Sequence, residues 1–143
     1  MTAASSTELG SRLRLAVLRL SRRLRQEAVG EVTPSQLSAL SILAYRGEMT
    51  LGELAAIERV APPSMTRIAH RLASRGLVER RSDETDRRVA RLAISEAGRD
   101  LINETRTRRD AYLSARLLGF SEEERELIER AVPLLERLAS EDV

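Results

Sequence analysis

Apolar residues recur every three or four positions along most of the chain, which predicts a largely helical protein. The first such stretch predicts an amphipathic helix over 8–29 that ends at Gly30. Capping residues and prolines mark where the later helices begin. The predicted helices are 8–29, 34–47, a short one opened by Thr50, 62–75, 95–117 and 121–139, with Pro133 expected to kink or restart the last.

Between the fourth and fifth helices the pattern changes to the alternation typical of strands. Segments 77–81 and 89–94 predict a β-hairpin with a charged tip, packed on the helices through Val78, Leu92 and Ile94. The order helix, short helix, turn, helix, hairpin is that of a winged helix-turn-helix. The fold class predicted is therefore mostly α, with a small β-hairpin wing.

The helix from 62 to 75 separates its side chains into two faces. At about 100° per residue, Met65, Ile68, Ala69 and Leu72 cluster in one arc, which predicts the buried stripe. The opposite face carries hydroxyl, guanidinium and imidazole groups from Pro63, Arg67, His70 and Ser74, with Thr66 and Arg71 on its flanks. No carboxylate occurs between Ala61 and Gly76, so this face suits base edges and phosphates of DNA. A solvated helix face is the alternative.

The charged tip lies in the stretch SDETDRRVARLAIS, residues 82–95. Arginines at a narrow tip fit a narrow minor groove, where the negative potential is enhanced. Arg87 and Arg88 are the candidates, and Asp86 is placed to orient one guanidinium through a charge-assisted bond. A plain charged turn is the alternative interpretation.

Charge is segregated along the chain, although the net charge is only +2 over 143 residues. Residues 59–91 carry nine Arg against four carboxylates, whereas residues 121–143 carry three Arg against eight. A basic middle and an acidic end suggest that one region meets a polyanion. All 24 basic residues are Arg, which suits phosphate recognition or simply reflects a GC-rich genome.

Several classes of chemistry lack the residues they need. The chain has no Cys and one His, which argues against disulfides, thiol redox sensing and a zinc site. His70 is left as a DNA contact, a pH-sensitive group or an incidental surface residue. Without a nucleophile–base set or a phosphate loop, no enzyme, cofactor or metal is expected, and Glu122–Glu124 suit a helix N-terminus. Apolar runs are too short to span a bilayer, so a cytoplasmic protein with no membrane partner is expected.

Five stretches together resemble the MarR family of bacterial transcription regulators. They are Thr33–Leu37 (TPSQL), Leu51–Ala55 (LGELA), Leu72–Arg80 (LASRGLVER), Asp83–Arg88 (DETDRR) and Leu92–Gly98 (LAISEAG). The resemblance implies that the helix from Pro62 enters the major groove, that Asp86 is structural and that Arg88 binds the minor groove. It also implies a homodimer, in which the first and last helices interdigitate with help from the helix after the wing.

The residues and the resemblance together give one domain over 1–143. In it, 33–94 form the winged module, and 8–29, 121–139 and part of 95–117 form the dimerisation helices. The candidate DNA-binding residues are Pro62, Pro63, Ser64, Thr66, Arg67, His70, Arg71, Ser74, Asp86, Arg87 and Arg88. The candidate dimer-interface residues are Leu9, Leu13, Val17, Leu20, Leu127, Ala131, Leu134, Leu135 and Leu138.

The chain departs from the family at one capping position and lacks the residue for one known sensing mechanism, and it retains side chains suited to another. Ala61 stands where relatives often have a capping Ser, and the loss of that cap typically costs about 1 kcal/mol. The absence of Cys excludes the cysteine-based oxidant sensing found in some relatives. Other relatives bind phenolic or lipophilic anions in a cleft between the dimer helices and the winged module, which Arg, Tyr45 and Leu side chains could line here.

The expected function is therefore a repressor of its own or neighbouring genes. As a homodimer it would bind a pseudo-palindromic operator with half-sites roughly 10 bp apart and be released by a small lipophilic or phenolic ligand. A regulator without a ligand is the first alternative. A helical interaction protein or enzyme that does not bind DNA is the second.

Overall fold

Six helices and three short strands make up residues 2–140, which are the residues that the computed structural model describes. Two helices precede the first strand, two separate it from the other two strands, and two follow. The elements are α1 (Ala3–Gln26), α2 (Pro34–Arg46), β1 (Met49–Thr50), α3 (Leu51–Glu58), α4 (Pro62–Ser74), β2 (Val78–Ser82), β3 (Ala90–Ile94), α5 (Glu96–Leu117) and α6 (Glu122–Ala139).

Hydroxyl side chains begin most of the helices, as the sequence predicts. The side chain of Thr33 accepts a hydrogen bond from the Gln36 amide at 3.2 Å, and Gln36 returns one to the Thr33 amide. Ser121 and Glu124 form the same reciprocal box at the start of α6. This box satisfies amides that the first turn leaves free, so it gives Glu124 a capping role.

The three strands form one antiparallel sheet in the order β1-β3-β2. In its register Met49 pairs with Leu92, and Val78 pairs with Ile94. The predicted hairpin of β2 and β3 is confirmed, but β1 is absent from the sequence prediction. β1 has only two residues, so it shows no alternation, and only its pairing with β3 identifies it.

The core lies where α2, α3, α4 and the sheet meet. Its largest fully buried side chains are Leu40, Leu43, Leu54, Met65, Leu72 and Leu92. Val78 is also buried, and Ile94 packs against this core. The predicted attachment of the hairpin to the helices through Val78, Leu92 and Ile94 is thus confirmed.

The first helix differs from its predicted range at both ends. It begins at Ala3 because the Thr2 side chain caps it, accepting from the Ser5 amide at 3.3 Å. This polar first turn carries no apolar periodicity, so the sequence pattern misses it. The helix ends at Gln26, where the Glu27 amide donates to the Leu24 carbonyl in a tighter turn.

The last helix continues through Pro133 from Glu122 to Ala139, so of the two predicted effects of Pro133, a kink or a restart, the restart is wrong and the kink stays a prediction. Proline removes one amide donor, which leaves the Glu129 carbonyl without its partner four residues on. Glu129 and Pro133 are both exposed, and water can therefore satisfy that carbonyl.

Helices α1 and α6 bury none of their residues within the chain. Large apolar side chains stay open along both, including Leu20 in α1 and Leu134 and Leu138 in α6, at 56% and 67% exposure for the last two. Of the candidate interface residues only Leu13 and Ala131 are half-buried. No helix in residues 2–140 combines the length and apolarity needed to cross a bilayer.

Gly98 provides a test of how α5 packs on the turn before β2. A Cβ there would overlap the Leu77 carbonyl oxygen and meet Ile94 Cγ1 at 2.7 Å. We expect Gly98→Ala to destabilise the protein by about 1–3 kcal/mol through overpacking. Urea unfolding at matched protein concentration measures this change.

Gly10→Ala in α1 is the matched control, because nothing lies within 4 Å of its Cβ position. There alanine should stabilise by about 0.5–1 kcal/mol, the usual advantage over glycine inside a helix. A Gly98→Ala protein as stable as the Gly10→Ala protein would contradict the close packing.

Candidate nucleic-acid interface

Helix α4 presents the two faces that the sequence predicts. Met65, Ala69 and Leu72 are buried and Ile68 is half-buried against the core. The residues on the outward side are Pro62, Pro63, Thr66, Arg67, His70, Arg71 and Ser74, all exposed, with Ser64 half-buried at the edge. The predicted division of the helix is confirmed, and its exposed face carries no carboxylate.

The start of α4 offers few free amides to a ligand. Ala61 provides no side-chain cap, as expected, and its carbonyl accepts from the Ser64 and Met65 amides at 2.9 and 3.2 Å. Pro62 and Pro63 have no amide hydrogen to donate. Anion binding here therefore depends on side chains more than on the helix terminus.

Two hydroxyl groups of this face are tied to their own helix. Thr66 Oγ1 donates to the Pro62 carbonyl at 3.0 Å, and Ser74 Oγ donates to the Arg71 carbonyl at 2.8 Å. Their oxygens keep lone pairs as acceptors. Arg67 makes only a long contact with Ser64 Oγ, at 3.5 Å, so its guanidinium is available to another partner.

A shallow groove of about 350 Å³ runs between the start of α2 and α4. Its lining residues are Thr33, Ser35, Gln36, Ser64, Arg67, Ile68 and Arg71. Two arginines and several hydroxyls without an acid suit a phosphate. Thr33, Ser35 and Gln36 were not among the predicted site residues, because the sequence marks this stretch only as the start of the second helix.

At the wing tip Asp86 holds Arg88 in a fixed arrangement. The Asp86 carboxylate accepts from the backbone amide, Nε and a terminal nitrogen of Arg88, each at 3.1 Å. The Arg88 side chain is nevertheless 91% exposed. The expectation that Asp86 orients a guanidinium is confirmed, whereas the contact of Arg88 with DNA stays a prediction.

Asp83 organises the same turn, a role that the sequence analysis did not assign. Its carboxylate accepts from the Thr85 and Asp86 amides at 3.1 and 3.0 Å and from Arg91 at 3.1 Å. An Asp that bonds the amide two residues on is a recognised turn pattern, so the sequence did contain this signal. The Asp83 amide also donates to the Val89 carbonyl at 2.9 Å, which closes the turn.

These bonds lower the pKa of both carboxyl groups. For Asp83 the main cause is the backbone amide of Asp86, with Arg91 adding to it. For Asp86 the main cause is the Arg88 side chain, and its amide contributes as well. Hydrogen bonds to the ionised form favour that form, so the turn is built around two carboxylates.

The remaining wing arginines differ in their partners. Arg81 lies 2.8 Å from Glu79 and 3.7 Å from Glu48, and Arg91 lies 3.1 Å from Asp83. Arg87 is exposed at the tip beside Arg88. Arg81, Arg88 and Arg91 are thus each paired with a carboxylate, and Arg87 and Arg88 are the exposed guanidinium groups of a tip that also carries Asp83, Glu84 and Asp86.

A second concave region, of about 490 Å³, lies between α2, α5 and the end of α1. Its lining residues are Leu24, Leu37, Ser41, Ala44, Tyr45, Ile102, Thr105, Arg106, Arg109, Asp110 and Leu113. The structure therefore brings together the Arg, Tyr45 and Leu side chains expected of a cleft. It is largely apolar at its base, with charged groups at its edge.

Comparison with known proteins decides the family. A sequence model of the MarR family matches residues 32–90, which include α2, α3, α4 and most of the wing. An HTH-type transcriptional regulator of Mycobacterium tuberculosis is 43% identical over 138 residues, covering 96% of each chain. The chain belongs to the MarR family. It is accordingly a DNA-binding transcriptional regulator and not an enzyme.

Two further similarities support this MarR protein's assignment. The HTH-type transcriptional repressor MdtR of Bacillus subtilis is 31% identical over 125 residues, with 84% of this chain and 80% of MdtR covered. A solved MarR family protein of Bacillus stearothermophilus superposes with a TM-score of 0.80 at 32% identity, covering 96% of each chain. The winged helix-turn-helix fold predicted from the sequence is confirmed.

The wing carboxylates give a pH prediction. Asp83 and Asp86 should titrate below about 3.9, the ordinary value for Asp, when followed by carboxyl carbon NMR. Because their folded-state pKa values are lowered, their stabilisation of the turn is present above about pH 3.9 and is lost as the pH falls through the folded-state values.

Arg88→Ala distinguishes the cause of the lowered pKa of Asp86, the Arg88 side chain, from that of Asp83, the Asp86 amide. It should raise the pKa of Asp86 toward the ordinary value and leave Asp83 depressed, since Asp83 depends on backbone amides and Arg91. An unchanged Asp86 titration in this variant would contradict the observed ion pair.

Proposed function

We propose that this MarR protein is a homodimeric repressor that binds a pseudo-palindromic operator, with α4 in the major groove and the wing in the adjacent minor groove. One observation carries the proposal. The exposed face of α4 is entirely free of carboxylates, and it is followed along the chain by a wing tip that extends a clamped Arg88. An ordinary solvated helix face mixes acids with bases.

In this proposal the side chains of α4 make different contacts with DNA according to their chemical groups. Arg67 and Arg71 are long and uncommitted to acids, so each can make the bidentate contact to guanine that arginine favours. Thr66, His70 and Ser74 reach base edges or phosphates from the same face, and Ser64 lies at its edge. Pro62 and Pro63 are the first two residues of α4, where their rings make van der Waals contacts with the DNA backbone.

The groove between α2 and α4 supports a phosphate contact beside the major groove. Ser35 and Ser64 provide hydroxyl donors there, and Arg71 provides charge. In helix-turn-helix proteins the second helix, here α4, enters the major groove, so residues beside its first turns lie near the DNA backbone. A phosphate in this groove would fix the register without reading sequence.

The wing supports a minor-groove contact. Arg88 leaves the tip with its side chain almost fully exposed, and the three bonds from Asp86 limit its rotamers. Preorganisation of this kind reduces the entropy that a flexible arginine loses on binding. Arg87 beside it adds a phosphate contact.

The exposed stripes of α1 and α6 support a homodimer. Such contiguous apolar surface on two helices is uncommon on a monomer. A two-fold interface between copies would cover α1, α6 and part of α5, leaving the winged module, residues 33–94, free to bind DNA. Two such modules would read half-sites roughly 10 bp apart.

Repression rather than activation is proposed because the relative MdtR is named a repressor and is 31% identical to this chain. The genes controlled would be its own or its neighbours. Such a regulator works in the cytoplasm, where its operator is.

The cleft between α2 and α5 supports release by a small-molecule effector. Its apolar base and its rim, where Arg106 and Arg109 outnumber the single acid Asp110 and Tyr45 adds a ring, suit a lipophilic or phenolic anion. A ligand that favours another separation of the two α4 helices would lower operator affinity. A thermal-shift screen with phenols and aromatic acids tests this role, and no stabilising compound would favour the ligand-independent alternative.

The DNA contacts are tested by a gel-shift series with the region upstream of the gene. Arg88→Ala should weaken binding roughly 3- to 10-fold on all duplexes and reduce the salt slope by about one. Arg67→Ala should weaken binding and also relax the preference at one base position, because it removes a base contact.

Arg81→Ala is the matched control, since Arg81 lies in strand β2 and its side chain contacts Glu79 and Glu48 rather than projecting from the wing tip. It should bind nearly as the wild type does. If Arg88→Ala bound as tightly as Arg81→Ala at every salt concentration, the wing assignment would be wrong.

The interface is tested by Leu134→Asp, which places a charge in the exposed stripe of α6. Each substitution counts twice in a two-fold dimer, so the dimer dissociation constant should rise by more than about tenfold. Sedimentation velocity measures the dissociation constant, and circular dichroism tests whether the variant keeps the helical content of the wild type.

Tyr45→Ser removes an even more exposed side chain, 91% against 56% for Leu134, that is not among the candidate interface residues, and it should leave the dimer intact. A wild-type protein that sediments as a monomer, or a Leu134→Asp dimer of unchanged affinity, would contradict the proposed interface.

A further inference from the structure

Residues 27–33, called the connector below, join the end of α1 to the start of α2. A Cβ added to Gly30 would lie 3.4 Å from Leu101 in α5 and 3.9 Å from the guanidinium of Arg75 at the end of α4. Gly30 also has φ of +76°, a conformation that other residues rarely adopt. The connector therefore passes between α5 and the end of the recognition helix.

Helix α5 holds the connector region by two hydrogen bonds. The Val29 amide donates to Thr105 Oγ1 at 3.2 Å, and Thr105 is only 2% exposed. One turn further along, Arg109 Nε donates to the Leu24 carbonyl at the end of α1, at 3.0 Å. Residues four apart lie on one helix face. A single face of α5 therefore bonds both to the last turn of α1, at Leu24, and to the connector, at Val29.

Helix α4 holds the connector from the other side. Arg75, the residue that caps the C-terminus of α4, donates a guanidinium hydrogen bond to the Glu31 carbonyl. This bond joins the end of the recognition helix directly to the chain that leaves α1.

The beginning of α5 is fixed to the same end of α4. The Ser95 amide donates to the Leu77 carbonyl at 3.0 Å, and Ser95 Oγ donates to the Gly76 carbonyl. Gly98 then packs so closely on Leu77 that no side chain fits. Hydrogen bonds thus join each pair of these three segments: the connector to α5, the connector to the end of α4, and the end of α4 to the beginning of α5.

We propose that Thr105 and Arg75 are positioning residues for operator binding. Through the connector they fix the orientation of α4 relative to α1 and α5, the helices that lead to the partner subunit. This inference rests on the proposed homodimer with two half-sites. Loosening the connector would leave each α4 able to enter a groove, while fewer dimers would hold both helices at the operator spacing.

The test compares Thr105→Val with Thr105→Ser in the full chain. Valine matches threonine in shape but removes the acceptor of the Val29 amide, whereas serine keeps it. Two duplexes are used. One is an operator selected by the wild type from random sequences, and the other is that operator with one half-site scrambled.

We expect Thr105→Val to bind the full operator about fivefold more weakly, the factor that one typical hydrogen bond represents. Its binding to the scrambled duplex should equal that of the wild type, because one module docks without reference to the other. Thr105→Ser should match the wild type on both duplexes. Thermal unfolding of each variant is measured alongside.

Arg75→Ala gives a second test that does not disturb the interior, since Arg75 is exposed. It should show the same selective loss on the full operator with an unchanged salt slope. A contact of Arg75 with a DNA phosphate would instead reduce the slope by about one and weaken both duplexes, which would overturn its positioning role.

The role of Thr105 would be overturned if Thr105→Val bound the full operator as the wild type does, or lost affinity equally on both duplexes. Failure of the wild type to select any operator would refute the proposed function instead. That outcome is seen before the variants are compared, so the two failures are distinguishable.

Discussion

The burial of one stripe of α4 against α2, α3 and β2 is the interaction on which the rest of the structure depends. Met65 and Leu72 are almost completely buried there, and full burial of such side chains stabilises by roughly 1.5–3 kcal/mol each. The same packing fixes the rotation of α4 about its own axis. It therefore decides that Arg67, His70 and Arg71 face solvent, so the surface proposed to contact DNA is a consequence of the core.

The wing follows a different physical rule. Its strands are anchored by Val78 and Leu92, but residues 83–88 of its tip do not belong to the apolar core. Two carboxylates fix the shape of the tip: Asp83 accepts hydrogen bonds from backbone amides, and Asp86 accepts them from the Arg88 guanidinium. An exposed arginine can thus be preorganised without burial, as the proposed entry of Arg88 into a narrow minor groove requires.

Most of the fold could be predicted from the sequence because local rules specify it. Caps such as Thr33 and Ser121 mark helix starts, and apolar spacing identifies the buried stripe of α4. What could not be predicted depends on distant partners or on segments too short for a pattern. The strand at Met49 has two residues, and the bond from Val29 to Thr105 joins positions 76 residues apart. The Asp86–Arg88 pair was predictable because both residues lie in one turn.

Hydroxyl-radical footprinting of the wild type on the DNA upstream of its gene tests the central claim most directly, namely that two modules dock on one duplex. The account predicts two equivalent protected patches related by a two-fold axis, with centres roughly 10 bp apart, and protection that fades as salt rises. A single patch, or uniform protection without symmetry at saturating protein, would contradict it.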